Sequence, residues 1–202
     1  MSGKGPIDYY FEFSSPYGYI ASRLVDGLAE RTGREVRWRP FLLGPVFKQT
    51  GQAPLVEVPM KGTYSRHDFD RSARFYNVPY AMPAKFPIGT VAALRAFWWL
   101  DDRDHAQAVR LAKALYTAYF VNGRDIGDPL VVLQVAREEG VDANALEAAL
   151  GDSAVKERAK AEVDAALARN VFGSPFFIVD GEPFWGCDRI PMLEDWIRRG
   201  GW

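Results

Sequence analysis

Residues 7–18 read IDYYFEFSSPYG, and this stretch decides the fold. Its first seven residues are mostly aromatic and apolar and include no glycine or proline, which predicts a β-strand over Ile7–Phe13. The serine before Pro16 then predicts a helix start, because serine is a favoured N-cap and proline is tolerated in the first helical turn. A strand that runs directly into a helix is typical of the first half of a β-α-β unit.

The residues that follow complete this unit. Leucine and isoleucine recur at helical spacing through residues 17–31, which predicts a helix that Gly33 ends. Residues 35–41 alternate arginines with Val36, Trp38 and Pro40, which predicts a second strand. A strand, a helix and a strand in this order favour a parallel pair with a right-handed crossover.

The middle of the chain has a different pattern, in which alanine, leucine and valine recur at helical spacing. Glycines and prolines interrupt residues 42–59 and 80–87, and we predict that these segments are irregular. The predicted helices span residues 60–76, 89–100, 104–120, 129–139, 143–150 and 153–170. No internal repeat or low-complexity tract divides the region.

Sheet patterning returns after residue 170. Residues 176–179 are an apolar strand, and the Asp180-Gly181 pair that follows is typical of a tight hairpin. Residues 182–185 then form the returning strand, and the spacing of Ile190, Leu193 and Ile197 predicts a closing helix over 188–199.

This order of elements predicts one α/β fold. A β-α-β half and a β-β-α half together make a thioredoxin-like core, which we assign to residues 7–41 and 171–200. The predicted helices between the halves form an all-helical domain, residues 42–170, inserted into that core.

Composition excludes several classes of partner. The 202 residues carry a net charge of −1, so no overall field attracts nucleic acid or an anionic membrane. No apolar run reaches the roughly 20 residues that span a bilayer, and residues 1–6 lack the apolar run of a signal peptide. One cysteine allows neither an internal disulfide nor a CxxC pair, and we predict a soluble, cytoplasmic protein.

Ser14 and Ser15 mark the first candidate site. The end of a parallel strand at a helix N-terminus is where open α/β folds bind ligands, and the free N–H groups there favour an anion such as a carboxylate or a thiolate. A serine hydroxyl at this point can donate a hydrogen bond to a ligand thiolate. The simpler interpretation, that one of the two serines only caps the helix, stays open.

Two later segments add candidate residues. Pro175 follows a long predicted helix and begins a strand, one of the few positions where a sheet tolerates proline. Asp188 lies between the last strand and the last helix, where a helix cap is its simplest role. His67 and His105 have no ligand partners at suitable spacing, so we predict no metal site.

Three motifs in order carry a family resemblance. FEFSSPYGYIA (residues 11–21), VFGSP (171–175) and WGCDR (185–189) resemble the 2-hydroxychromene-2-carboxylate isomerases. These enzymes are grouped with the kappa-class glutathione transferases in the DsbA-like branch of the thioredoxin superfamily. The resemblance covers nearly the whole chain, and it implies the same helical insertion.

The resemblance implies a glutathione cofactor and a small aromatic acid substrate. By this resemblance Ser15 is the catalytic residue, which activates the glutathione thiol, and Pro175 is a cis-proline. The implied glutathione-binding residues are Ser15, Tyr17, Lys61, Ser174, Pro175, Cys187 and Asp188. Relatives are commonly homodimers, so a homodimer is expected. The implied reaction converts 2-hydroxychromene-2-carboxylate into trans-o-hydroxybenzylidenepyruvate.

The residues that recognise the substrate are less specific. Trp38, Phe86 and Trp185 are candidates to stack on an aromatic substrate, although core packing explains each equally well. Basic side chains on predicted helices are candidates for its carboxylate, although solvated surface charges have the same pattern; they are Lys61, Arg66, Arg71 and Arg95.

The chain departs from the family pattern at three positions. Relatives often have a polar residue where Gly18 stands and an asparagine where Gly89 stands, and the second change concerns the substrate more than the cofactor. Cys187 stands where relatives often have asparagine or serine, and is either a passive small residue or an oxidisable thiol. Two other functions stay open: a glutathione transferase or peroxidase, and a catalytically silent thioredoxin-like binding protein.

Overall fold

Four strands of the described chain form one mixed sheet. The computed structural model describes residues 5–202, so the expectation for residues 1–6 falls mainly outside it. The strand order is β2-β1-β3-β4, with β1 parallel to β2 and antiparallel to β3, and β4 antiparallel to β3. The strands are β1 (Ile7–Phe11), β2 (Val36–Pro40), β3 (Phe176–Val179) and β4 (Glu182–Trp185).

Helices make up most of the remaining described residues, and the predicted α/β fold with its helical middle region is confirmed. They are α1 (Pro16–Ser22), α2 (Val25–Thr32), α3 (Leu43–Thr50), α4 (Lys61–Phe75), α5 (Val91–Asp101), α6 (His105–Phe120), α7 (Pro129–Glu138), α8 (Ala143–Gly151), α9 (Ser153–Ala168) and α10 (Ile190–Arg199). The division into a core and an insertion stays a prediction. One apolar core is shared by both parts.

Two predictions about the helices were wrong: one predicted helix is divided in two, and one helix lies in a segment predicted to be irregular. The single helix predicted over residues 17–31 is divided, because the N–H groups of Arg23 and Leu24 bond to carbonyls three residues back and tighten the turn between α1 and α2. The segment around α3 is not irregular throughout, since Pro45 lies in the first turn of α3, where a helix tolerates proline.

Stacked aromatic side chains hold β1 in the centre of the sheet. The ring of Tyr9 stacks on that of Phe177 from β3, with 5.3 Å between centroids, and on that of Phe11 at 5.0 Å. Tyr116 of α6 packs against Phe11 at 5.7 Å and against Phe13 at 5.5 Å. Residues 9, 11 and 13 share one face of the strand, so these contacts fix that face of β1 and give the residues after it a rigid base.

Charged side chains tie the helices to the sheet. Asp8 of β1 accepts hydrogen bonds from Arg39 of β2 at 2.7 Å and from Arg169, just after α9, at 2.6 Å. Arg39 also pairs with Glu162 of α9 at 3.5 Å. Within residues 5–202, no helix is long and apolar enough to cross a membrane.

Candidate active site at the first helix N-terminus

Ser15 occupies the junction between β1 and α1. Its backbone N–H donates to the carbonyl of Glu12 at 2.9 Å, which closes a turn directly after the strand. Its hydroxyl oxygen accepts the N–H of Gly18 at 3.0 Å, so Ser15 is the N-cap of α1 and Pro16 is the first helical residue. The predicted cap is confirmed, and it identifies which of the two serines performs this role.

The same hydroxyl reaches a distant part of the chain. Ser15 Oγ donates to the backbone carbonyl of Ser174 at 2.9 Å, and the peptide bond between Ser174 and Pro175 is cis, as the thioredoxin-like core implies. The hydroxyl oxygen of Ser174 in turn accepts the N–H of Glu12 at 2.9 Å. The two candidate segments that the sequence places far apart are therefore joined side by side.

Gly18 makes room for this junction. A Cβ at residue 18 would lie 2.7 Å from Ser174 Oγ and 2.7 Å from the hydroxyl oxygen of Tyr116. The Gly18 carbonyl accepts the hydroxyl of Tyr9 at 2.7 Å, which fixes the helix backbone at this close approach. A side chain at residue 18 would therefore collide with the groups that form this junction.

Glu12 lies next to both the Ser14–Ser15 turn and the turn at Ser174, and sequence reasoning missed it. Its carboxylate accepts the Ser14 N–H at 2.8 Å and the hydroxyl of Thr90, and its backbone carbonyl accepts the hydroxyl of Tyr116 at 3.0 Å. Burial raises the pKa of Glu12 to about 7, although the bonds from Thr90 and Ser14 act in the opposite direction. Glu12 is one of two acids, with Asp8, in the otherwise apolar and aromatic segment 7–13, and an acid in such a segment was the signal that could have identified it.

Packed aromatic side chains line one side of the Ser15 site. The N–H of Ile88 donates to Ser14 Oγ at 3.1 Å, which holds the segment that carries Phe86 against the site. The rings of Phe86 and Tyr17 both pack edge-on against Phe69 of α4, at 6.1 Å and 5.0 Å between centroids. The structure thus brings Phe86 and Tyr17 together, while Lys61 is exposed as the first residue of α4.

Polar side chains of α4 lie next to these aromatic rings. The hydroxyl of Tyr17 donates to the carboxylate of Asp68, and the guanidinium of Arg71 donates to the same carboxylate. Arg71 also donates to the hydroxyl of Tyr64 at 2.8 Å. Of the basic side chains considered for a substrate carboxylate, Arg71 is therefore connected to the site through Asp68 and Tyr17.

The third candidate segment, residues 185–189, follows from β4 at the edge of the sheet and packs near the Ser15 site. The N–H of Gly186 donates to the carbonyl of Pro175 at 3.0 Å, and the turn over Cys187–Arg189 packs against α1. Asp188 is exposed and pairs with Arg189 at 2.8 Å. Trp185 is 55% exposed and lies over Gly173, where an added Cβ would collide with the indole nitrogen.

Comparison with known proteins identifies the family. The family model described as a DSBA-like thioredoxin domain matches residues 6–198. The chain is 33% identical, over 95% of its length, to 2-hydroxychromene-2-carboxylate isomerase of Sphingobium xenophagum, of which it covers 97%. The chain belongs to the 2-hydroxychromene-2-carboxylate isomerase family, within the DsbA-like thioredoxin domains.

Other comparisons agree with this family of enzymes. The solved structure of a 2-hydroxychromene-2-carboxylate isomerase matches with a TM-score of 0.86 at 28% identity, over 96% of this chain and 94% of that one. Glutathione S-transferase kappa 1 of Caenorhabditis elegans is 25% identical over 96% of this chain and 91% of its own length. The resemblance stated from the sequence motifs is therefore confirmed.

The structure does not bring every candidate residue to the Ser15 site. Trp38 is 4% exposed, and its ring packs edge-on against Tyr9 and Phe11 in the core, so core packing is its role. It faces inward because the alternation of β2 directs residues 38 and 40 into the molecule. Arg95 and Gly89 line a cleft of about 470 Å³ whose lining does not include Ser15.

Residues 5–202 contain no group of three or more His, Cys, Asp or Glu side chains that could hold a metal ion.

Tyr116 and Thr90 were missed by sequence reasoning, as Glu12 was, since their role depends on contacts between distant segments.

Cys187 is expected to be unreactive in the folded protein. The residue is 3% exposed, and burial raises the pKa of its thiol to about 12, with the Asp188 carboxylate adding to the shift. Because the thiolate is the reactive species, iodoacetamide at pH 8 should modify the denatured protein fully and the native protein negligibly, as measured by intact mass. Stoichiometric labelling of the native protein within minutes would instead identify Cys187 as the oxidisable thiol considered above.

Proposed function

We propose that this chain is a glutathione-dependent isomerase that interconverts 2-hydroxychromene-2-carboxylate and trans-o-hydroxybenzylidenepyruvate. One observation carries the proposal: the Ser15 hydroxyl is held at a helix N-terminus against the cis-proline turn, at 2.9 Å from the Ser174 carbonyl. The chain has no cysteine at this point, so a thiol must come from a bound molecule. The isomerase named among the relatives at 33% identity supports the substrate.

The residues present fit glutathione at the reactive end. The N–H of Gly18 bonds to Ser15 Oγ and that of Tyr19 to the Ser15 carbonyl, which leaves the Tyr17 N–H as a first-turn donor for an anion. If the Ser15 hydroxyl turns from Ser174 toward a thiolate, the Ser174 carbonyl is released. That carbonyl can then accept a backbone N–H from the cysteinyl unit.

Other residues fit the two ends of the tripeptide. The exposed carboxylate of Asp188 suits the γ-glutamyl ammonium, and the exposed ammonium of Lys61 suits a carboxylate. Cys187 then contributes only backbone groups, since its side chain is buried.

The chemistry requires a reversible nucleophile. When bound, glutathione would supply a thiolate that adds to the conjugated double bond of the substrate, allows rotation about the resulting single bond, and leaves again. Ser15 and the Tyr17 N–H would hold the sulfur in its charged form. The rings of Tyr17 and Phe86 would hold the aromatic ring, and Arg71 would lie near its carboxylate. The exposed ring of Trp185 would add a further apolar surface.

Calorimetric titration with reduced glutathione, run beside S-methyl glutathione, tests the cofactor. We expect reduced glutathione to bind more tightly, because only its sulfur can become the anion that the helix N-terminus stabilises. Absence of binding by either compound would contradict the proposal and favour the catalytically silent fold. A steady-state assay with the chromene carboxylate then tests the reaction.

Glutathione transfer is the second candidate, supported by the kappa-class relative at 25% identity. The same thiolate would then attack an electrophile or a peroxide, and glutathione would be consumed. Isomerisation leaves the glutathione concentration unchanged, so a thiol count before and after turnover separates the two activities.

The predicted homodimer and cytoplasmic location belong to this proposal. Large apolar side chains are exposed on and just before α4, including Met60 at 91%, and such patches are typical of interfaces. Light scattering should then give a mass near twice 22.7 kDa, and a mass of one chain would contradict the dimer. Cell fractionation tests the location.

A further inference from the structure

Glu12 occupies the point where the segments of the site meet. Its side chain and backbone together contact the Ser14–Ser15 turn, the Ser174 hydroxyl and Thr90 at the start of α5. The residue is 6% exposed. Both carboxylate oxygens accept a hydrogen bond, so the carboxylate form is held in place without a counter-charge.

The groups that face Glu12 are neutral. From α6, the hydroxyl of Tyr116 donates to the Glu12 backbone carbonyl, and Tyr119 lies nearby with its own hydroxyl bonded to the Lys85 carbonyl. The ammonium of Lys85 is itself paired with Asp125 at 2.8 Å. Among residues 5–202, no ion pair involves Glu12, and burial raises its pKa to about 7. With its pKa raised toward neutrality and no ion pair to fix its charge, this carboxyl can gain a proton near neutral pH.

We propose that Glu12 is a proton-linked positioning residue, which holds the Ser15 turn against the Ser174 turn and takes up a proton when a thiolate binds at Ser15. This inference rests on the proposed function, because the thiolate is that of glutathione. Above neutral pH, the thiol S–H bond breaks, the sulfur keeps the electron pair, and the proton passes to the carboxylate of Glu12 directly or through solvent. The net charge of the site is the same before and after.

The physical reason is repulsion between like charges. A carboxylate three residues before Ser15, in an interior that screens charge poorly, disfavours a thiolate next to Ser15. Neutralising Glu12 removes that repulsion, so thiolate binding and Glu12 protonation favour each other by linkage. A merely structural Glu12 would hold the two turns without exchanging a proton.

Glu12→Gln separates these roles. The amide oxygen can still accept the Ser14 N–H, and the amide NH₂ can donate to the Thr90 hydroxyl, which turns to accept it. The shape of the site is preserved, and the titration is removed. Thr90→Val is the companion variant: it keeps the carboxyl but removes a hydrogen bond that favours its charged form, so the carboxyl should titrate at higher pH.

The test counts protons released per glutathione bound, by calorimetry at pH 8 in buffers of different ionisation enthalpy. We expect Glu12→Gln to release about one proton more than the wild type, because nothing in the variant takes up the thiol proton. In Thr90→Val, the pH at which proton uptake is half complete should rise. S-methyl glutathione, which has no thiol proton, should show no difference between wild type and Glu12→Gln.

The outcomes separate this inference from the proposed function. Equal proton release by wild type and Glu12→Gln, with glutathione bound by both, overturns the role of Glu12 and leaves the glutathione site standing. No binding by the wild type overturns both. If Glu12→Gln does not fold, an unchanged pH dependence in Thr90→Val overturns the role of Glu12.

Discussion

Replacing Ser15 by alanine is expected to lower kcat/KM for isomerisation by about a hundredfold or more. The side chain is the one hydroxyl placed between the first turn of α1 and the Ser174 carbonyl, at 3.0 Å and 2.9 Å from its two partners. Removing one positioned donor to an anion typically costs 10²–10³ in rate, roughly the effect of losing an oxyanion-hole donor. The pKa of bound glutathione, followed by thiolate absorbance, should rise in the variant.

Ser14→Ala is the matched control for this experiment. Ser14 stands in the same turn, but its hydroxyl accepts the Ile88 N–H at 3.1 Å and does not contact Ser174. It should therefore affect turnover much less than Ser15→Ala. Because Ser15→Ala also removes a helix cap worth about 1 kcal/mol, denaturant unfolding must accompany the assay. Unchanged turnover in Ser15→Ala would remove Ser15 from the mechanism.

Replacing Gly18 by alanine is expected to destabilise the protein by about 1–3 kcal/mol and to weaken glutathione binding. The added methyl group would lie 2.7 Å from both Ser174 Oγ and the Tyr116 hydroxyl, closer than carbon and oxygen approach without a shift. Neither neighbour has free space, since Tyr116 is fully buried and Ser174 is 8% exposed. Moving Ser174 displaces the carbonyl that Ser15 contacts.

Two further variants show whether the clash is the cause. Gly89→Ala adds the same methyl group where nothing lies within 4 Å, so its stability should change little. In a Tyr116→Phe background, which lacks one of the two clashing oxygens and also the hydrogen bond to the Glu12 carbonyl, Gly18→Ala should cost less stability than it does in the wild type. A Gly18→Ala protein as stable as the wild type in urea would show that the helix shifts freely here.

The sequence predicted those parts of the fold that depend on local patterns. The strand before Ser15, the cap at Ser15 and the Asp180-Gly181 hairpin each depend on neighbouring residues, and the structure has all three, although β1 ends at Phe11 and not at Phe13. The break between α1 and α2 was missed, because helical spacing continues through Arg23 and Leu24 while the backbone tightens.

The candidate site could be predicted only in part for the same reason. Ser15 and Pro175 carry local signals, but the bond between Thr90 and Glu12 joins residues 78 positions apart, and no spacing rule reports such a pair. An aromatic residue such as Trp38 gives the same pattern whether its face is buried or lines a pocket. The contacts of its ring with Tyr9 and Phe11 decide that question.

The separation of 159 sequence positions between Ser15 and Ser174 has a consequence for biosynthesis. A ribosome that adds roughly 5–20 residues per second needs on the order of ten to thirty seconds to make that interval. During that time β1 has β2 as a possible neighbour but lacks β3, although the finished sheet buries it on both sides. The nascent chain therefore exposes a row of aromatic rings, and a chaperone that shields it until β3 emerges should raise the yield of folded enzyme.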